Sequence, residues 1–317
     1  MQRLETASKF LLALTATAFL FISGIMAPPA GIVLLPLVPQ PALSFGLRFG
    51  APSGIGVTLA AAALFLLIAG EELALIYGLF GLVVALLFAL LGRVRAVEYL
   101  VFGVASAVYA AAGALLFYFY GSWSAMVRDF RASMTENFAA AVQIQERMGL
   151  PKESIDALRE QSPEIVGLLL YLLPALLFVA VGVVVLLNFF LLWHRFPERR
   201  EQWFAVETLR EWKAPEPLVW GFIACGFSLF LPVPGVLKAL GANLLVVIAA
   251  CYFFQGLAIV AFFFDKNRVP RFFRGVTYLF IAFQQIFTFL VIGLGLFDLW
   301  IDFRRLRKKN LKPSQVS

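Results

Sequence analysis

The chain has 317 residues, of which 62% are hydrophobic and 14% are charged, and its mean hydropathy is +0.89. Soluble domains are about half apolar and a quarter charged, so this composition excludes an ordinary soluble globular protein. The formal net charge of +7 does not indicate nucleic acid binding, because the basic residues lie in short stretches between apolar runs, as in membrane proteins.

Eight stretches contain no charged residue, and each is as long as the roughly 20 residues that a membrane-spanning helix needs. These stretches are residues 10–47, 49–70, 73–92, 99–127, 165–193, 217–237, 239–264 and 275–297. Their continuous runs of Leu, Phe, Ala and Val predict an all-α, polytopic membrane helix bundle. We expect eight or nine transmembrane or re-entrant segments in a single integral membrane domain that covers residues 1–317.

The first stretch is too long for one span. A 38-residue helix would measure about 57 Å, nearly twice the hydrocarbon thickness, so the chain must break within residues 10–47. Pro28, Pro29 and Pro36 supply breaks, because proline lacks an N–H group. We predict a first helix that ends near Met26, followed by a short span or re-entrant element over residues 31–45.

If residues 10–193 cross the membrane six times, the basic loops fall on one side of the membrane. The N-terminus, Arg48, the 93–95 loop and the basic 195–213 loop then share one side, which predicts a cytoplasmic N-terminus. The 121–164 insertion, with five basic and seven acidic residues, falls on the outer side. Residues 122–148 of this insertion have apolar side chains every four residues, a pattern typical of an amphipathic helix. It suits an interfacial helix or a lid over an outward-facing site.

Three apolar segments follow within residues 217–297. The 265–274 loop and the C-terminal tail, residues 298–317, are both basic, although one apolar run separates them. Either the tail lies outside, or the 217–237 or the 275–297 segment re-enters without crossing. The six basic residues of the tail favour a cytoplasmic C-terminus.

No motif of a known catalytic site is present, and neither a cofactor nor a metal site is indicated. Cys225 and Cys251 lie in apolar runs, where they serve as small hydrophobic residues. His194 stands alone at the end of an apolar run, where an interfacial position is expected. We therefore predict that the protein is not an enzyme.

Five neutral amides lie inside the apolar runs, where an unpaired amide is costly, so they are expected to face the bundle interior. These candidate ligand-binding residues are Asn188, Asn243, Gln255, Gln284 and Gln285. Hydrogen bonding between helices is the simpler explanation of these amides, because such bonds commonly stabilise membrane bundles.

The last apolar run ends in the string Phe297-Asp298-Leu299-Trp300-Ile301-Asp302-Phe303-Arg304-Arg305. On a helix Asp298 and Asp302 share one face, and Asp302 can pair with Arg305. Asp298, Asp302, Arg304 and Arg305 are candidate contacts for a partner or for anionic lipid. A plain membrane exit, with Trp300 at the headgroups, is the alternative.

The order of these features resembles the YybS-like family of predicted bacterial integral membrane proteins, a family of unknown function. The resemblance rests on Pro28-Pro29, Arg48-Phe49-Gly50, Asn188, Gln255-Gly256 and the Phe297–Arg304 ending. It implies a location in the bacterial inner membrane. The first six spans also resemble the S components of energy-coupling-factor transporters, which bind a small molecule and work with separate ATPase and coupling subunits.

Three hypotheses for the function follow. The first is a transport-type protein that binds a small molecule in its helix bundle, energised by separate ATPase or coupling subunits. The second is a non-catalytic membrane scaffold or assembly factor, whose partner is another membrane protein. The third is a membrane enzyme that acts on a lipid-linked substrate, for which Glu71 and Glu72 are the candidate acids.

Overall fold

The computed structural model describes residues 2–94, 96–149, 151–203 and 212–304, and all regular elements in these ranges are helical. Seven described helices are long and apolar enough to cross a membrane, or eight if one bent pair counts as a single span. The predicted all-α, polytopic helical fold is therefore confirmed. The described chain divides into two compact units: residues 1–170 with 177–205, called the six-span unit below, and residues 171–176 with 206–317, called the C-terminal unit.

The six-span unit has a long apolar helix or helix pair at each of six positions, and a polar helix before the last. Its elements are α1 (Gln2–Met26), α2 (Pro28–Leu34), a 3-10 turn (Leu35–Leu37), α3 (Gln40–Phe49), α4 (Ala51–Ala69), α5 (Glu71–Leu90), α6 (Val97–Tyr120), α7 (Trp123–Arg147), α8 (Lys152–Arg195) and α9 (Arg200–Trp203). Helix α8 also contributes residues 171–176 to the C-terminal unit.

The second span is broken, as the prolines predict. Pro39 lacks the N–H that would reach the carbonyl of Leu35 in an α-helix, and Val38 N–H donates to that carbonyl instead, at 3.1 Å. The candidate span Ala30–Phe49 has half of its most apolar window buried, against 22–28% for the other five spans of the unit. The broken segment therefore lies inside the unit, where other helices cover its irregular backbone.

Aromatic packing and close backbone contact hold the broken segment in place. Phe21 of α1 is fully buried against Val38, Phe65 and Tyr77, and its ring lies 4.8 Å from that of Phe65. Gly54 of α4 packs so closely on α3 that a Cβ atom there would lie 2.7 Å from the carbonyl oxygen of Ala42.

Helix α7 confirms the predicted amphipathic helix. Ser122 caps it by accepting a hydrogen bond from Ala125 N–H at 3.2 Å, and Met126 and Val142 on its apolar stripe are buried. Gly149, with a φ of +79°, follows its end.

Because proline lacks an N–H group, Pro163 would be expected to separate a short helix over residues 154–160 from the next span, but the structure has no break there. Helix α8 runs for 44 residues without interruption. Pro163 removes the N–H that would bond the carbonyl of Arg159, but the hydroxyl of Ser162 donates to that carbonyl at 2.9 Å. The carbonyl is satisfied, so the helix continues.

The C-terminal unit contains α10 (Leu218–Phe230), α11 (Gly235–Lys266), α12 (Arg271–Phe283) and α13 (Gln285–Ile301). The 217–237 run contains α10, whose 13 residues measure about 20 Å and are too few for a span. The 275–297 run is not one helix either, since α12 and α13 meet at a bend of 102°.

Helix α11 organises this unit, with α10 along its first part and α13 along its second. A Cβ atom at Gly241 would lie 2.0 Å from the hydroxyl of Ser228 in α10, and one at Gly256 would lie 2.0 Å from the carbonyl oxygen of Val291 in α13. Tyr252 is buried in the core between them. These close approaches place the end of α10 beside the first turns of α11 and the middle of α13 beside the interior of α11.

Candidate functional site

A buried polar cluster in the C-terminal unit joins residues from both candidate groups of the sequence analysis. The exposed fractions of Gln255, Asp298 and Arg304 are 3%, 0% and 4%. One oxygen of Asp298, Oδ2, accepts hydrogen bonds from Gln255 Nε2 at 3.1 Å and from Arg304 Nη2 at 2.8 Å. The other, Oδ1, accepts from the backbone N–H of Phe303 at 2.9 Å. The carboxylate is thus paired and hydrogen-bonded, as a buried charge must be.

The same cluster holds the chain that leads into α10. Gln255 Oε1 accepts from Ala214 N–H at 3.0 Å, and Arg304 Nη1 donates to the carbonyl of Trp212 at 3.0 Å. We call Gln255, Asp298 and Arg304, with these two backbone groups, the clasp. It ties residues 212–214 to the end of α13.

A second ion pair lies beside the clasp. Asp302 ends α13 in the left-handed conformation, with a φ of +47°, and its carboxylate lies 2.8 Å from Lys213 Nζ. Lys213 is one partner of Asp302, whereas the predicted pairing of Asp302 with Arg305 is not tested. Arg305 lies outside the described residues, as does the rest of the tail.

The clasp lies level with the interior of the apolar helix α11. Gln255 is 17 residues after Lys238 and 11 residues before Lys266, or about 25 Å and 16 Å along the helix. Sequence reasoning placed Asp298 at the edge of a span, because it ends a charge-free run. It missed Lys213 and the 212–214 backbone, and the only signal for them was Gln255 in the middle of an apolar run.

Asn188 occupies a different position, in the six-span unit. Its side chain is fully buried, and Nδ2 donates to the carbonyls of Pro36 and Val184, both at 2.8 Å. Two carbonyl oxygens at this distance require the NH₂ group to face them, which turns Oδ1 the other way. Among the described residues Oδ1 has no hydrogen-bond partner.

Two more buried oxygen atoms of the six-span unit, Thr17 Oγ1 and Gln40 Oε1, find no partner in the described ranges. Gln40 begins α3, one turn after Pro36, to which Asn188 is bonded.

Thr17 lies at the same level, because α1 runs antiparallel to the broken segment. On α1, Thr17 falls between Phe21, which packs on Val38, and Phe10, whose ring lies 5.8 Å from that of Phe45. The start of α3 falls between Val38 and Phe45. Three hydrogen-bond acceptors therefore share one level of the six-span unit, at the break in its second span.

Asn243 is fully engaged in the C-terminal unit. Its Oδ1 accepts from Ala175 N–H at 2.9 Å, and its Nδ2 donates to the carbonyls of Tyr171 and Ala239 at 3.0 and 2.9 Å. The amide thus bridges the turn of α8 from Tyr171 to Ala175, which contains Pro174. Neighbouring helices commonly satisfy the backbone in this way at a proline in a membrane helix.

Gln284 and Gln285 lie at the bend between α12 and α13, and both side chains are exposed. The expectation that they face the bundle interior is wrong, because the helix breaks where they stand. The structure does not bring them to Gln255.

The remaining candidates lie apart from these sites. Glu71 and Glu72 are exposed at the start of α5, and Tyr118 Oη donates to Glu71 at 3.3 Å. His194 Nδ1 lies 2.8 Å from the carbonyl oxygen of Phe190. No group of three or more His, Cys, Asp or Glu side chains in the described chain could hold a metal ion.

A helical chain with seven or eight membrane-crossing segments, and with polar side chains buried among them, is a polytopic integral membrane protein. The chain belongs to the family described as "Predicted membrane protein (DUF2232)", whose profile matches residues 15–299. No curated protein and no solved structure matches the chain.

Proposed function

We propose that this protein is a transport-type membrane protein that binds a small molecule in its six-span unit, at the break in the second span. The observation that carries the proposal is Asn188 Oδ1, a fully buried acceptor without a partner among the described residues, on the side chain that also holds the carbonyl of Pro36. A donor from a ligand would satisfy this oxygen.

Two physical arguments support this location. An unpaired buried acceptor lowers the stability of the folded protein by about 1–3 kcal/mol. A ligand that donates a hydrogen bond to this acceptor would recover that free energy. Discontinuous helices also form the substrate sites of many transporters, where irregular backbone lines a binding cavity. The Ala30–Phe49 segment is discontinuous and is the most buried span of its unit.

The energy source is proposed to lie on other subunits. The unit has six candidate spans, the number found in S components of energy-coupling-factor transporters, and this likeness of architecture supports a separate ATPase and coupling subunit. The basic loops support an inner-membrane location with a cytoplasmic N-terminus. Neither a catalytic role nor a cofactor is part of the proposal.

The proposed ligand contact uses only one of the five candidate amides of the sequence analysis. Gln255 and Asn243 already use their amide groups within the protein, and Gln284 and Gln285 stand at an exposed bend. Asn188 is the amide with an acceptor still to be satisfied. We therefore assign ligand contact to Asn188 and structural roles to Gln255 and Asn243.

Ligand-dependent thermal stabilisation tests the proposal. The full-length protein in detergent is heated with and without the low-molecular-weight fraction of a cell extract, because a ligand that binds the native state raises its Tm. We expect a rise for the native sequence and none for Asn188→Leu. If Asn188→Leu does not fold, Gln40→Leu takes its place.

The matched control is Asn243→Leu, which removes a buried amide from the other unit. It should lower the starting Tm, because Tyr171 and Ala175 lose its hydrogen bonds, yet keep the rise on addition of the extract fraction. Absence of any rise with the native sequence would count decisively against the proposal.

A scaffold role is the second candidate, and the clasp is the observation that favours it. Asp298 and Arg304 fix the point from which the basic tail departs, which would present residues 305–317 to a partner at a defined place. Deletion of residues 305–317 should then release a protein that co-purifies with the full chain. A deletion from residue 298 would confuse the result, because it also removes the clasp.

A further inference from the structure

We infer that the ligand of the six-span unit binds through N–H donors, on a neutral or singly protonated nitrogen group, and that it presents no carboxylate or phosphate at this site. The inference rests on the proposed function and specifies the chemistry of its ligand. Three buried oxygen atoms at one level of the unit carry it: Thr17 Oγ1, Gln40 Oε1 and Asn188 Oδ1.

The donors of these amides are already in use. Both N–H bonds of Asn188 Nδ2 are directed at carbonyl oxygens, and Gln40 Nε2 donates to Ser44 Oγ at 3.4 Å. What the two amides still offer is acceptor capacity, since an amide oxygen accepts and never donates. A ligand that satisfies them must therefore bring hydrogen-bond donors.

The charges of the unit point the same way. The buried polar side chains described for it are Thr17, Ser44, Thr58 and Asn188, none of which is ionisable near neutral pH. Arg48, at the end of α3, is exposed and lies over the ring of Phe196 at 6.0 Å. A buried carboxylate or phosphate would face acceptor oxygens without a positive partner, which is a costly arrangement.

A hydroxyl group alone satisfies this set poorly. An O–H group donates one hydrogen bond, whereas a protonated amino group donates three and a primary amide donates two. Two amide oxygens that only accept, together with the Thr17 hydroxyl, which accepts as well as donates, match a nitrogen group with several N–H bonds. This is the class of ligand to which the oxygens point.

The test separates the extract fraction by charge at neutral pH into cations, neutral molecules and anions, and measures the Tm of the full-length protein with each. We expect the stabilising fraction to contain cations or neutral molecules, and exhaustive N-methylation of that fraction to remove the effect. In Thr17→Val, which keeps the side-chain shape, about tenfold more of the fraction should be needed for the same shift, as for the loss of one hydrogen bond.

Thr15→Val is the matched control. Thr15 lies on the same helix, is exposed, and bonds the carbonyl of Leu11 at 2.7 Å, so the shift should be unchanged. Stabilisation by the anion fraction would overturn the inference while leaving the proposed function in place. An undiminished shift in both Thr17→Val and Gln40→Leu would overturn the inference and also the binding position on which the proposed function rests. If no fraction stabilises the native sequence, the proposed function itself fails.

Discussion

Thr17 is a polar residue at a position where valine would have the same shape. Its hydroxyl is fully buried, and no hydrogen-bond partner for it lies within the described ranges. A residue chosen for packing alone would carry a methyl group here, because a buried unpaired hydroxyl lowers stability. A substitution at this position therefore distinguishes a role of the hydroxyl in stability from a role in ligand binding.

Thr17→Val should raise the Tm of the ligand-free protein, by the equivalent of about 1 kcal/mol, because the unpaired hydroxyl is replaced by a methyl group. The exposed Thr15→Val on the same helix should leave the Tm unchanged. Differential scanning fluorimetry in detergent measures both. A marked fall in the Tm for Thr17→Val would show that its hydroxyl has a structural partner.

A second prediction concerns the buried ion pair of the clasp. Asp298→Asn should cost about 3–5 kcal/mol, because the buried guanidinium of Arg304 would lose the carboxylate that lies 2.8 Å from it. Asp298→Asn combined with Arg304→Gln should cost less than the sum of the two single changes, which a double-mutant cycle measures. Additive losses would mean that the two side chains do not interact.

The neighbouring ion pair provides the control for that prediction. Lys213 is 30% exposed at its side chain, so its pair with Asp302 is partly screened by solvent. Lys213→Met should cost under about 1 kcal/mol. An equal loss for Lys213→Met and Asp298→Asn would contradict the ranking of the two pairs by burial.

The burial of a residue could be predicted where its neighbours in the sequence determine it, and could not where packing between distant helices determines it. Gln255 could be recognised as buried, because it stands in the middle of an apolar run. Asp298 could not be placed correctly, since a charge at the end of a run looks like a helix end. Only the packing of α13 along half of α11 brings it beside the helix interior.

At the scale of elements, backbone contact between α11 and α13 depends on glycine. A Cβ atom at Gly256 would lie 2.0 Å from the carbonyl oxygen of Val291, and one at Gly295 would lie 2.0 Å from that of Tyr252. Backbone cannot move aside as a flexible side chain does, so larger residues at these positions must separate the helices.

Gly256→Ala is therefore expected to lower stability by about 1–3 kcal/mol. Gly293→Ala, on α13, is the matched control, because a Cβ atom there meets nothing within 4 Å. It should be neutral or stabilising by up to about 1 kcal/mol, since alanine favours helix over glycine. Thermal unfolding of both variants in detergent tests the close approach. Equal Tm values for the two variants would show that α11 and α13 do not approach each other closely at Gly256.

The elements themselves were predictable where the apolar runs are long and uniform. The end of α1 at Met26 and the amphipathic α7 followed from prolines and from periodicity. The continuity of α8 did not, because it depends on Ser162 supplying the hydrogen bond that Pro163 removes. A re-entrant 275–297 segment was one of the alternatives drawn from the loop charges, but the position of the bend at Gln284 could not be predicted, since no proline or glycine stands there.

For the whole molecule, the charge of the loops predicts the orientation in the membrane. With a cytoplasmic N-terminus, five spans place α7 outside, and α8 returns the chain to the cytoplasm. In a variant with Cys225→Ala and Cys251→Ala, Glu136→Cys on α7 should react with an impermeant maleimide in intact cells. Glu198→Cys, after α8, should react only once the membrane is opened; the reverse pattern would invert the orientation.

Native mass spectrometry of the gently purified, full-length protein shows whether a small molecule binds at the break in the second span. We predict a bound mass on the native sequence and on Thr15→Val, with that mass lost or much reduced on Thr17→Val and Gln40→Leu. A protein that carries no added mass, or the same added mass on all four forms, would exclude binding at this position.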